Sequence, residues 1–351
     1  MKAALIGAGQ IARQHLDCLK VLPGVELAAI CDLSPATAEA AAERYGAKAW
    51  FTDHRAMLEK ARPDVVHITT PPTSHFRLAK DTFDAGAHVI VEKPVTATFT
   101  ELETLVRAAE AANRHLVEDH NYVFNHAPQE ILRRIKSGEF GAVTHVEVLI
   151  CLDILGPSGF ADPNSPHPAL TLAGGAIGDF LPHLASLAHA FVGPHRTAET
   201  VWSKRKPSLL PFDEFRAVLN AERGTASLGF SSNSQPDAFW LRVYGERMHA
   251  SANLFETRLT FDGPRNVPKP LRPFFSGLEE GKTIRRAALA TLLRKFKGPG
   301  AYEGLWELVV RTYRALADGS ALPVTANHVL EVNRMVEALK PREQPPKEQE
   351  S

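Results

Sequence analysis

The segment Ala3-Ala4-Leu5-Ile6-Gly7-Ala8-Gly9-Gln10-Ile11-Ala12 determines the fold of the first part of the chain. A short apolar run ends in a glycine-rich turn, and a helical pattern begins directly after it. In such a strand–turn–helix unit, Gly7 permits the tight turn, Gly9 lets a pyrophosphate approach the backbone, and the small Ala12 packs against the strand. The helix N-terminus offers free N–H groups to the phosphates. The segment therefore predicts a dinucleotide-binding loop.

An acidic residue at the right distance supports this interpretation. Asp32 follows the apolar run Val25–Cys31 and lies 20 residues after Ala12. An acid at this position accepts hydrogen bonds from the adenosine ribose hydroxyls and repels a 2′-phosphate. We therefore predict NAD as the cofactor and consider NADP disfavoured. The alternative is that Asp32 serves only the entry of the next helix, beside its capping residue Ser34.

Strand and helix signals alternate over the first 120 residues. Alternation of this kind predicts a parallel sheet with helices on both faces, so we expect a doubly wound Rossmann domain over residues 1–121. The predicted strands are Ala3–Ile6, Val25–Cys31, Val65–Ile68, Val89–Val91 and Leu116–Val117. The predicted helices are Ile11–Leu22, Pro35–Tyr45, His54–Lys60, His75–Ala85 and Phe99–Asn113.

The pattern changes after residue 121, where longer strands follow one another with few helices between them. This predicts a second, α+β domain over residues 122–340 with a large, open, mostly antiparallel sheet. Its predicted strands are Val143–Leu152, Phe215–Ala221, Ala226–Phe230, Phe239–Tyr244 and Arg258–Phe261. Its predicted helices are Pro128–Lys136, Gly175–Phe191, Thr283–Phe296, Tyr302–Ala317 and Ala326–Leu339. Residues 341–351 have almost no apolar content and are expected to form a disordered tail.

Composition excludes several classes of function. The 351 residues include 40 basic and 40 acidic side chains, so the net charge of zero gives no overall attraction to nucleic acid. No apolar run reaches the length of a membrane span, and Met1 runs directly into a strand without a secretory signal pattern. The three widely spaced cysteines fit a reducing compartment and give no zinc-ligand spacing. We expect a cytoplasmic protein without a metal site.

Two further motifs carry a family resemblance. Glu92-Lys93-Pro94 follows the strand Val89–Val91, and Thr69-Thr70-Pro71-Pro72-Thr73-Ser74-His75 follows an earlier strand. With the glycine loop, these motifs resemble the Gfo/Idh/MocA family, named after glucose–fructose oxidoreductase and inositol dehydrogenase. The resemblance is close over residues 1–125 and continues through Gly174-Gly175, Asp179 and His183. It implies hydride transfer between NAD and a secondary alcohol carbon of a sugar, sugar nucleotide or cyclitol.

The resemblance also implies roles for individual residues. Thr70 and Pro71 would line the nicotinamide ribose with His75 nearby, and Glu92 and Lys93 would lie beside the nicotinamide. The predicted cofactor-binding residues are Gly7, Gly9, Gln10, Ile11, Asp32, Thr70, Pro71, His75, Glu92, Lys93 and Asn121. The predicted substrate contacts are Lys93, Tyr122, Asp179 and His183. The bond before Pro94 is a candidate for the cis form, which is essentially confined to proline.

The catalytic hypothesis rests on three residues. Alcohol oxidation needs a base for the hydroxyl proton and a donor for the developing oxyanion. Asp179 and His183 are four residues apart and share one face of a helix, and an imidazole titrates near neutrality. Lys93 would hold the substrate hydroxyl. The alternatives are that Lys93 is a surface lysine in a turn, and that Asp179 and His183 are a helix N-terminal acid and a satisfied core histidine.

Two departures from the family pattern affect the predicted site. Members often have arginine where this chain has Val123, so a contact expected from that arginine is in question. Pro182 immediately precedes His183. A proline in the first turn of a helix is tolerated, whereas one deeper inside would kink the helix and displace His183.

Residues 282–297 (KTIRRAALATLLRKFK) carry six basic side chains and no acidic one. Ile284, Ala288, Leu292 and Phe296 recur at helical spacing. The favoured interpretation is an amphipathic helix with one buried apolar stripe and a solvated charged face. An anionic membrane surface, an acidic substrate and another subunit are alternative partners. The resemblance implies a homo-oligomer, for which an open antiparallel sheet offers an interface.

Two other functions remain compatible with the sequence. The first is a redox-assisted lyase or glycosidase, in which NAD is reduced and regenerated within one cycle. The second is a ligand sensor that keeps the NAD-binding fold without catalysis. Intact Lys93, Asp179 and His183 argue against the sensor.

Overall fold

The computed structural model describes residues 1–156, 174–256, 258–264, 267–297 and 302–341. The chain forms two compact units. The first comprises Met1–Phe124 and Tyr302–Asn333, and the second comprises Asn125–Ala301 and Arg334–Ser351. The predicted domain boundary at residue 121 differs from this division, because residues 302–333 belong to the first unit. The predicted disordered tail, apart from Pro341, lies outside the described residues.

The first unit contains a six-stranded parallel sheet in the order β3-β2-β1-β4-β5-β6, as the alternating pattern predicts. Its strands are β1 Lys2–Ile6, β2 Glu26–Cys31, β3 Ala49–Phe51, β4 Val65–Ile68, β5 His88–Val91 and β6 Leu116–Glu118. Its helices are α1 Ala12–Val21, α2 Pro35–Tyr45, α3 His54–Ala61, α4 Pro72–Asp84 and α5 Phe99–Ala111, followed by a 3-10 turn at Asn121–Phe124.

Two local differences from the predicted elements have simple causes. The three-residue strand β3 is too short to give a periodic signal, and it pairs with β2 at the sheet edge. Helix α4 begins at Pro72 rather than at His75, because Pro71 occupies the capping position and Pro72 suits the first helical residue. His75 is therefore inside the first turn of α4, with its ring fully buried.

The second unit contains a seven-stranded sheet in the order β13-β12-β11-β7-β10-β9-β8. Its strands are β7 Val143–Cys151, β8 His195–Ser203, β9 Glu214–Ala221, β10 Gly224–Ser231, β11 Ala238–Gly245, β12 His249–Asn253 and β13 Arg258–Asp262. Its helices are α6 His126–Lys136, α7 Gly175–Val192 and α8 Arg272–Lys297. Helix α9 Glu303–Asp318 belongs to the first unit, and α10 Ala326–Leu339 begins in the first unit and ends in the second.

The second sheet is mostly antiparallel, as predicted, but β10 runs parallel to β7. Strands β8 and β12 were not predicted from the sequence. Strand β8 has no fully buried residue and is mostly polar, and β12 is built of small and polar residues, so neither has a strong apolar signal. The tight connection between β9 and β10 pairs Gly224 with Ala221.

Helix α7 packs on β7 and β10 and is buried on nearly all sides. Its apolar residues surround the whole helix, which is the pattern of a core helix. Pro182 is its eighth residue and removes one backbone donor, yet the helix continues to Val192. Gly174 caps it with φ of 82°, where an added Cβ would lie 3.0 Å from the ring of Trp202. The helix containing Asp179 and His183 is thus fixed by core packing.

Helix α8 is longer than predicted and differs in orientation. Ile284, Ala288 and Leu292, which the favoured interpretation places in a buried stripe, are exposed. That interpretation is wrong for these side chains because the helix packs on β13 and its partly buried residues, such as Ser276, Thr283 and Ala287, occupy other positions around it. The side chain of Phe296 lies outside the described residues. Among the described helices, none is long and apolar enough to cross a membrane.

Candidate active site

The glycine loop connects β1 to α1 at the carboxyl edge of the parallel sheet. Gly7 has φ of 94°, and its N–H donates to the carbonyl oxygen of Cys31 at 2.8 Å. A Cβ on Gly7 would lie 2.6 Å from Cγ2 of Thr70, whereas a Cβ on Gly9 would meet no atom within 4 Å. Gly7 is therefore needed for packing within the protein, and Gly9 leaves open space beside the backbone where a phosphate fits.

Asp32 follows β2 directly and joins the loop to the next helix. Its Oδ2 accepts a hydrogen bond from the N–H of Ala8 at 2.8 Å, and its Oδ1 accepts one from the N–H of Ser34 at 2.9 Å. The cap of α2 is Ser34 itself, whose hydroxyl accepts from the N–H of Thr37. The carboxylate is therefore held in place by backbone donors at the mouth of the glycine loop.

A cavity of about 640 Å³ lies between the loop and the start of α4. Five predicted cofactor residues line it, namely Gly7, Gly9, Asp32, Thr70 and Pro71. Leu33, which sequence reasoning did not select, also lines the cavity with its side chain 93% exposed. Helix α1 has Ile11 at its capping position without a side-chain cap, so its N-terminus is open to an anion. The size, shape and donors of this cavity fit a dinucleotide.

His75 lies beneath the cavity rather than on its surface. The ring is fully buried, with Nε2 2.7 Å from the carbonyl oxygen of Thr70 and Nδ1 2.9 Å from that of Pro94. Burial lowers the pKa of His75, and the two carbonyl oxygens act in the opposite direction. His75 thus ties the end of β4 to the Lys93–Pro94 peptide bond, which is cis.

Glu92 and Lys93 follow β5, and Asp119 follows β6, the neighbouring strand. Backbone hydrogen bonds from Glu92 to Ile68 and from Asp119 to Val91 bring the two acids side by side. Their carboxyl groups hydrogen-bond to each other, and the Lys93 ammonium acts on both. Burial and the charge of Glu92 raise the pKa of Asp119 well above its usual range. Asp119 was missed by sequence reasoning, although its place after β6 is a signal that could have found it.

Behind Glu92, a chain of buried side chains crosses the first unit. His15 Nε2 lies 3.1 Å from Oε1 of Glu92, and His15 Nδ1 lies 2.8 Å from Nδ1 of His67. His67 Nε2 lies 3.0 Å from the hydroxyl of Tyr313 on α9. Although burial opposes it, the hydrogen bond from His15 lowers the pKa of Glu92. No sequence motif predicts this chain, since its members come from α1, β4 and α9.

Asn121 and Tyr122 lie in the 3-10 turn after β6. Asn121 Oδ1 accepts from the N–H of Tyr122 at 2.7 Å. Burial raises the pKa of Tyr122, and its neighbours Tyr302 and Asp119 add to the effect. Tyr302 was not predicted from the sequence. Burial and the charges of Glu92 and Asp119 raise its pKa, and Lys93 acts in the opposite direction. Val123 is only 6% exposed, so the position of the family's arginine is occupied here by a packed apolar side chain.

Asp179 and His183 lie one turn apart on α7 in the second unit. Asp179 is half-buried and His183 is buried, with the ring of Phe180 5.8 Å from that of His183. Ser186 donates from its hydroxyl to the carbonyl oxygen of His183 at 3.2 Å. The spacing that the sequence predicts is therefore present on a continuous helix, in spite of Pro182.

One group of acidic and histidine side chains has the composition of a metal site. Ligand atoms of His15, Glu92 and Asp119 lie within 4.8 Å of one another. The hydrogen bond between the two carboxyl groups needs a proton between them, and Lys93 supplies positive charge nearby. A proton shared between the two carboxyl groups, with Lys93 nearby, is therefore a second explanation for this group of side chains.

The order of the parallel sheet, the glycine loop, Asp32 and the cavity define a dinucleotide-binding protein of the Rossmann class. The family comparison specifies this further. Residues 1–120 match the model of the Gfo/Idh/MocA oxidoreductase family with an NAD-binding Rossmann fold, and residues 129–251 match that family's C-terminal domain. The chain belongs to the Gfo/Idh/MocA family.

Curated relatives match over part of their length. D-apiose dehydrogenase of Paraburkholderia graminis is 32% identical over 140 residues, which are 40% of this chain and 37% of the relative. Glycosyl hydrolase family 109 protein 2 of Akkermansia muciniphila is 30% identical over 156 residues, which are 42% of this chain and 33% of the relative. The matched region thus spans less than half of these proteins.

Solved structures show the same fold over nearly the whole chain. The WlbA dehydrogenase of Bordetella pertussis, in complex with NADH and UDP-GlcNAcA, superimposes with a TM-score of 0.77 at 20% identity. The superposition covers 97% of this chain and 94% of that chain. The similarity is one of fold.

Proposed function

We propose that this protein is an NAD-dependent oxidoreductase that transfers a hydride between nicotinamide and a secondary alcohol carbon of a sugar, sugar nucleotide or cyclitol. The observation that carries the proposal is the cavity bounded by Gly9 and Asp32, with Lys93 emerging from a neighbouring strand of the same sheet edge. Bound NAD supplies the hydride acceptor. The names of the relatives, among them a D-apiose dehydrogenase and a dehydrogenase holding UDP-GlcNAcA, support a carbohydrate substrate.

In this proposal Asp32 selects NAD. Its carboxylate lines the cavity and is held in place by two backbone N–H groups. Its remaining lone pairs therefore have fixed positions. A carboxylate in this place accepts from the ribose hydroxyls and repels a 2′-phosphate. Gln10 and Ile11 present backbone N–H groups at the start of α1, where the diphosphate carries its charge. Thr70 and Pro71 form the wall of the cavity on the side of the nicotinamide ribose.

Lys93 is proposed to hold the substrate hydroxyl and to stabilise negative charge on its oxygen. The Asp179–His183 pair is proposed to take part in moving the hydroxyl proton, with Asp179 orienting the imidazole. Asn121 and Tyr122 complete the proposed contacts, with Asn121 on the cofactor and Tyr122 on the substrate. His75 acts through the carbonyl oxygens of Thr70 and Pro94, so its proposed role is to position the cofactor site.

A reducing, cytoplasmic setting and a homo-oligomeric state also belong to the proposal. All three cysteines, Cys18, Cys31 and Cys151, are free thiols. The open face of the second sheet carries apolar side chains on adjacent strands, with Val201 64% and Val218 59% exposed. A second copy of the chain would cover such a surface.

The test is a screen for NAD reduction over sugars, cyclitols and sugar nucleotides, with Lys93→Ala as the control. Reduction by one substrate class, lost in Lys93→Ala, supports the proposal. Turnover that persists in Lys93→Ala would contradict the proposed mechanism.

The second candidate is the redox-assisted glycosidase, favoured by the similarity to family 109 glycosyl hydrolases. It is distinguished by glycoside cleavage with tightly retained NAD and without accumulation of NADH. A third outcome, NAD binding with no turnover of any substrate, would favour the ligand sensor instead.

A further inference from the structure

The buried chain from Tyr313 to Glu92 has a direction that follows from its donors and acceptors. Tyr313 Oη has His67 Nε2 as its hydrogen-bond partner among the residues that the structure describes. The hydroxyl proton of Tyr313 therefore enters a hydrogen bond only if Tyr313 donates it to His67 Nε2. His67 must then carry its own proton on Nδ1. Because burial lowers the pKa of His67 well below its usual value, the ring is neutral and has this one proton.

The position of the proton on His67 determines the position of the proton on the next member, His15, and thereby the donor that faces Glu92. His67 Nδ1–H can only donate to His15 Nδ1, at 2.8 Å, so His15 carries its proton on Nε2. This N–H then donates to Oε1 of Glu92 at 3.1 Å. A hydroxyl on α9 thus sets, through two imidazoles, a buried N–H donor against Glu92, and a hydrogen bond of this kind favours the ionised form of that carboxyl group.

The neighbouring carboxyl group must then hold the proton. Glu92 and Asp119 are hydrogen-bonded to each other, and two ionised carboxylates in contact repel. Among the described residues, the other charged or titratable groups that face this pair are Lys93, His75, Glu118, Tyr122 and Tyr302. Glu118 accepts from the N–H of Val95, from the amide of Asn333 and from His120, so both of its carboxyl oxygens already have hydrogen-bond donors.

We propose that Asp119 is a neutral carboxylic acid that donates to ionised Glu92, and that the Tyr313–His67–His15 chain fixes this arrangement beside Lys93. Asp119 is a positioning residue, because it acts on Lys93 through Glu92. The single negative charge balances the Lys93 ammonium. A second carboxylate would hold the proton on the lysine more firmly and hinder its exchange with a substrate hydroxyl. The catalytic meaning of this charge assignment rests on the proposed function, whereas the assignment itself does not.

The assignment is testable by infrared difference spectroscopy of the full chain without substrate. We expect a protonated-carboxyl band at pH 7 that disappears in Asp119→Asn and persists in Glu118→Gln, a buried neighbour that serves as the matched control. A band that persists in Asp119→Asn, or disappears in Glu118→Gln, would overturn the proposal. Circular dichroism melting identifies a variant that fails to fold.

Nitrogen-15 NMR of the histidines tests the chain in the unmodified protein, and so remains informative if Asp119→Asn does not fold. We expect His15 protonated on Nε2 and His67 on Nδ1, with both tautomers of His67 appearing in Tyr313→Phe. An imidazolium at His15, or a proton on its Nδ1, refutes the assignment. With a substrate in hand, Glu92→Gln is expected to lower kcat about tenfold more than Asp119→Asn, since only Glu92→Gln removes a charge. If no substrate is found, the spectroscopic results still stand alone.

A separate observation concerns helix α8, whose large apolar side chains point outward. Phe274 is 63% exposed, Leu278 56%, Leu289 59% and Leu292 55%, and they recur at helical spacing along one side. Lys282, Arg285 and Arg286 are exposed between them. On the opposite side, Glu280 pairs with Arg258 of β13 at 3.1 Å.

We infer that this face of α8 binds an anionic lipid surface. An outward apolar stripe interleaved with cations complements a membrane interface in both respects. A second copy of the same helix would instead bring like charges together, since the run from residue 282 to 297 contains six basic residues and no acid.

Co-sedimentation with vesicles tests this surface. We expect binding to phosphatidylcholine vesicles that contain phosphatidylglycerol, no binding to pure phosphatidylcholine, and a loss at high salt. Phe274→Ser with Leu278→Ser should weaken binding about tenfold or more, whereas Val21→Ser, at an exposed valine that ends α1 in the first unit, should not. Absence of binding by the unmodified protein would overturn the inference. The inference would also be overturned if sedimentation velocity detected a dimer of the unmodified protein and the same double variant dissociated it.

Discussion

Asp32 Oδ2 lies 2.8 Å from the backbone nitrogen of Ala8, so the acid after β2 accepts a hydrogen bond from inside the glycine loop. This contact joins the two sequence signals for a dinucleotide in one structural unit. It also means that the carboxylate has a role in the loop's own geometry in addition to its proposed contact with ribose.

Asp32→Ala is accordingly expected to weaken NADH binding about tenfold or more, because the acceptor for the ribose hydroxyls is lost. It should also reduce the ratio of the affinity for NADH to the affinity for NADPH, because the repulsion of a 2′-phosphate is lost. Fluorescence titration with the two reduced dinucleotides measures the change. Asp84→Asn, at an exposed acid on α4 paired with Lys80, is the control and should leave both affinities as they are. An unchanged ratio in Asp32→Ala would mean that selectivity lies elsewhere.

Gly7→Ala and Gly9→Ala should separate folding from binding. At Gly7 the positive φ and the 2.6 Å approach to Thr70 make a methyl group costly, by about 1–3 kcal/mol in the free energy of unfolding. At Gly9 a methyl group meets no protein atom, so Gly9→Ala should melt like the unmodified protein and bind NADH about tenfold more weakly. Thermal melts and NADH titrations of the two variants provide the comparison, and normal NADH binding by Gly9→Ala would argue against phosphates at this loop.

Loss of the imidazole at His183 should affect chemistry more than stability. His183→Asn is expected to lower kcat by about 10²–10⁴ on whichever substrate the screen identifies. His189→Asn is the matched control, because His189 lies in the same helix with similar burial, 7% exposed against 6% for His183. Comparable turnover losses in the two variants would indicate that the histidines serve the helix rather than the reaction.

The stacked pair His88 and His115 should make the protein sensitive to acid. Burial, with the nearby charges of His115 and Arg114, lowers the pKa of His88 from 6.5 to about 4. The backbone N–H of His115 also donates to Nδ1 of His88 at 3.1 Å, which requires that nitrogen to be unprotonated. Since the unfolded chain binds this proton first, the free energy of unfolding should decrease as pH falls from about 6.5 to about 4.

Urea unfolding at a series of pH values measures this dependence. His88→Asn should flatten the slope in that window, whereas His249→Asn, at an exposed position on β12, should leave it unchanged. An unaltered slope in His88→Asn would assign the acid sensitivity to other buried histidines such as His67 and His75, whose pKa values burial also lowers.

Much of the first unit could be predicted from local pattern, because its strands are continuous apolar runs and its loop follows a fixed glycine spacing. Gly7 and Asp32 were predicted for the same reason, whereas Thr70 and Glu92 were predicted from the family resemblance. Asp119 and Tyr302 were not predicted, since neither belongs to a motif of the sequence. The exposed stripe on α8 was misjudged because helical spacing identifies an apolar face without showing whether anything covers it.

The parallel sheet, the dinucleotide loop, the acid after β2 and the spacing of Asp179 and His183 could all be read from the amino-acid sequence, because each of these depends on residues near one another in the chain. Which buried groups meet is visible only in the folded chain. Tyr313, His67, His15, Glu92 and Asp119 come from separate helices and strands, and their protons are assigned by contacts across the core. Such assignments depend on distances between elements, which no local spacing contains.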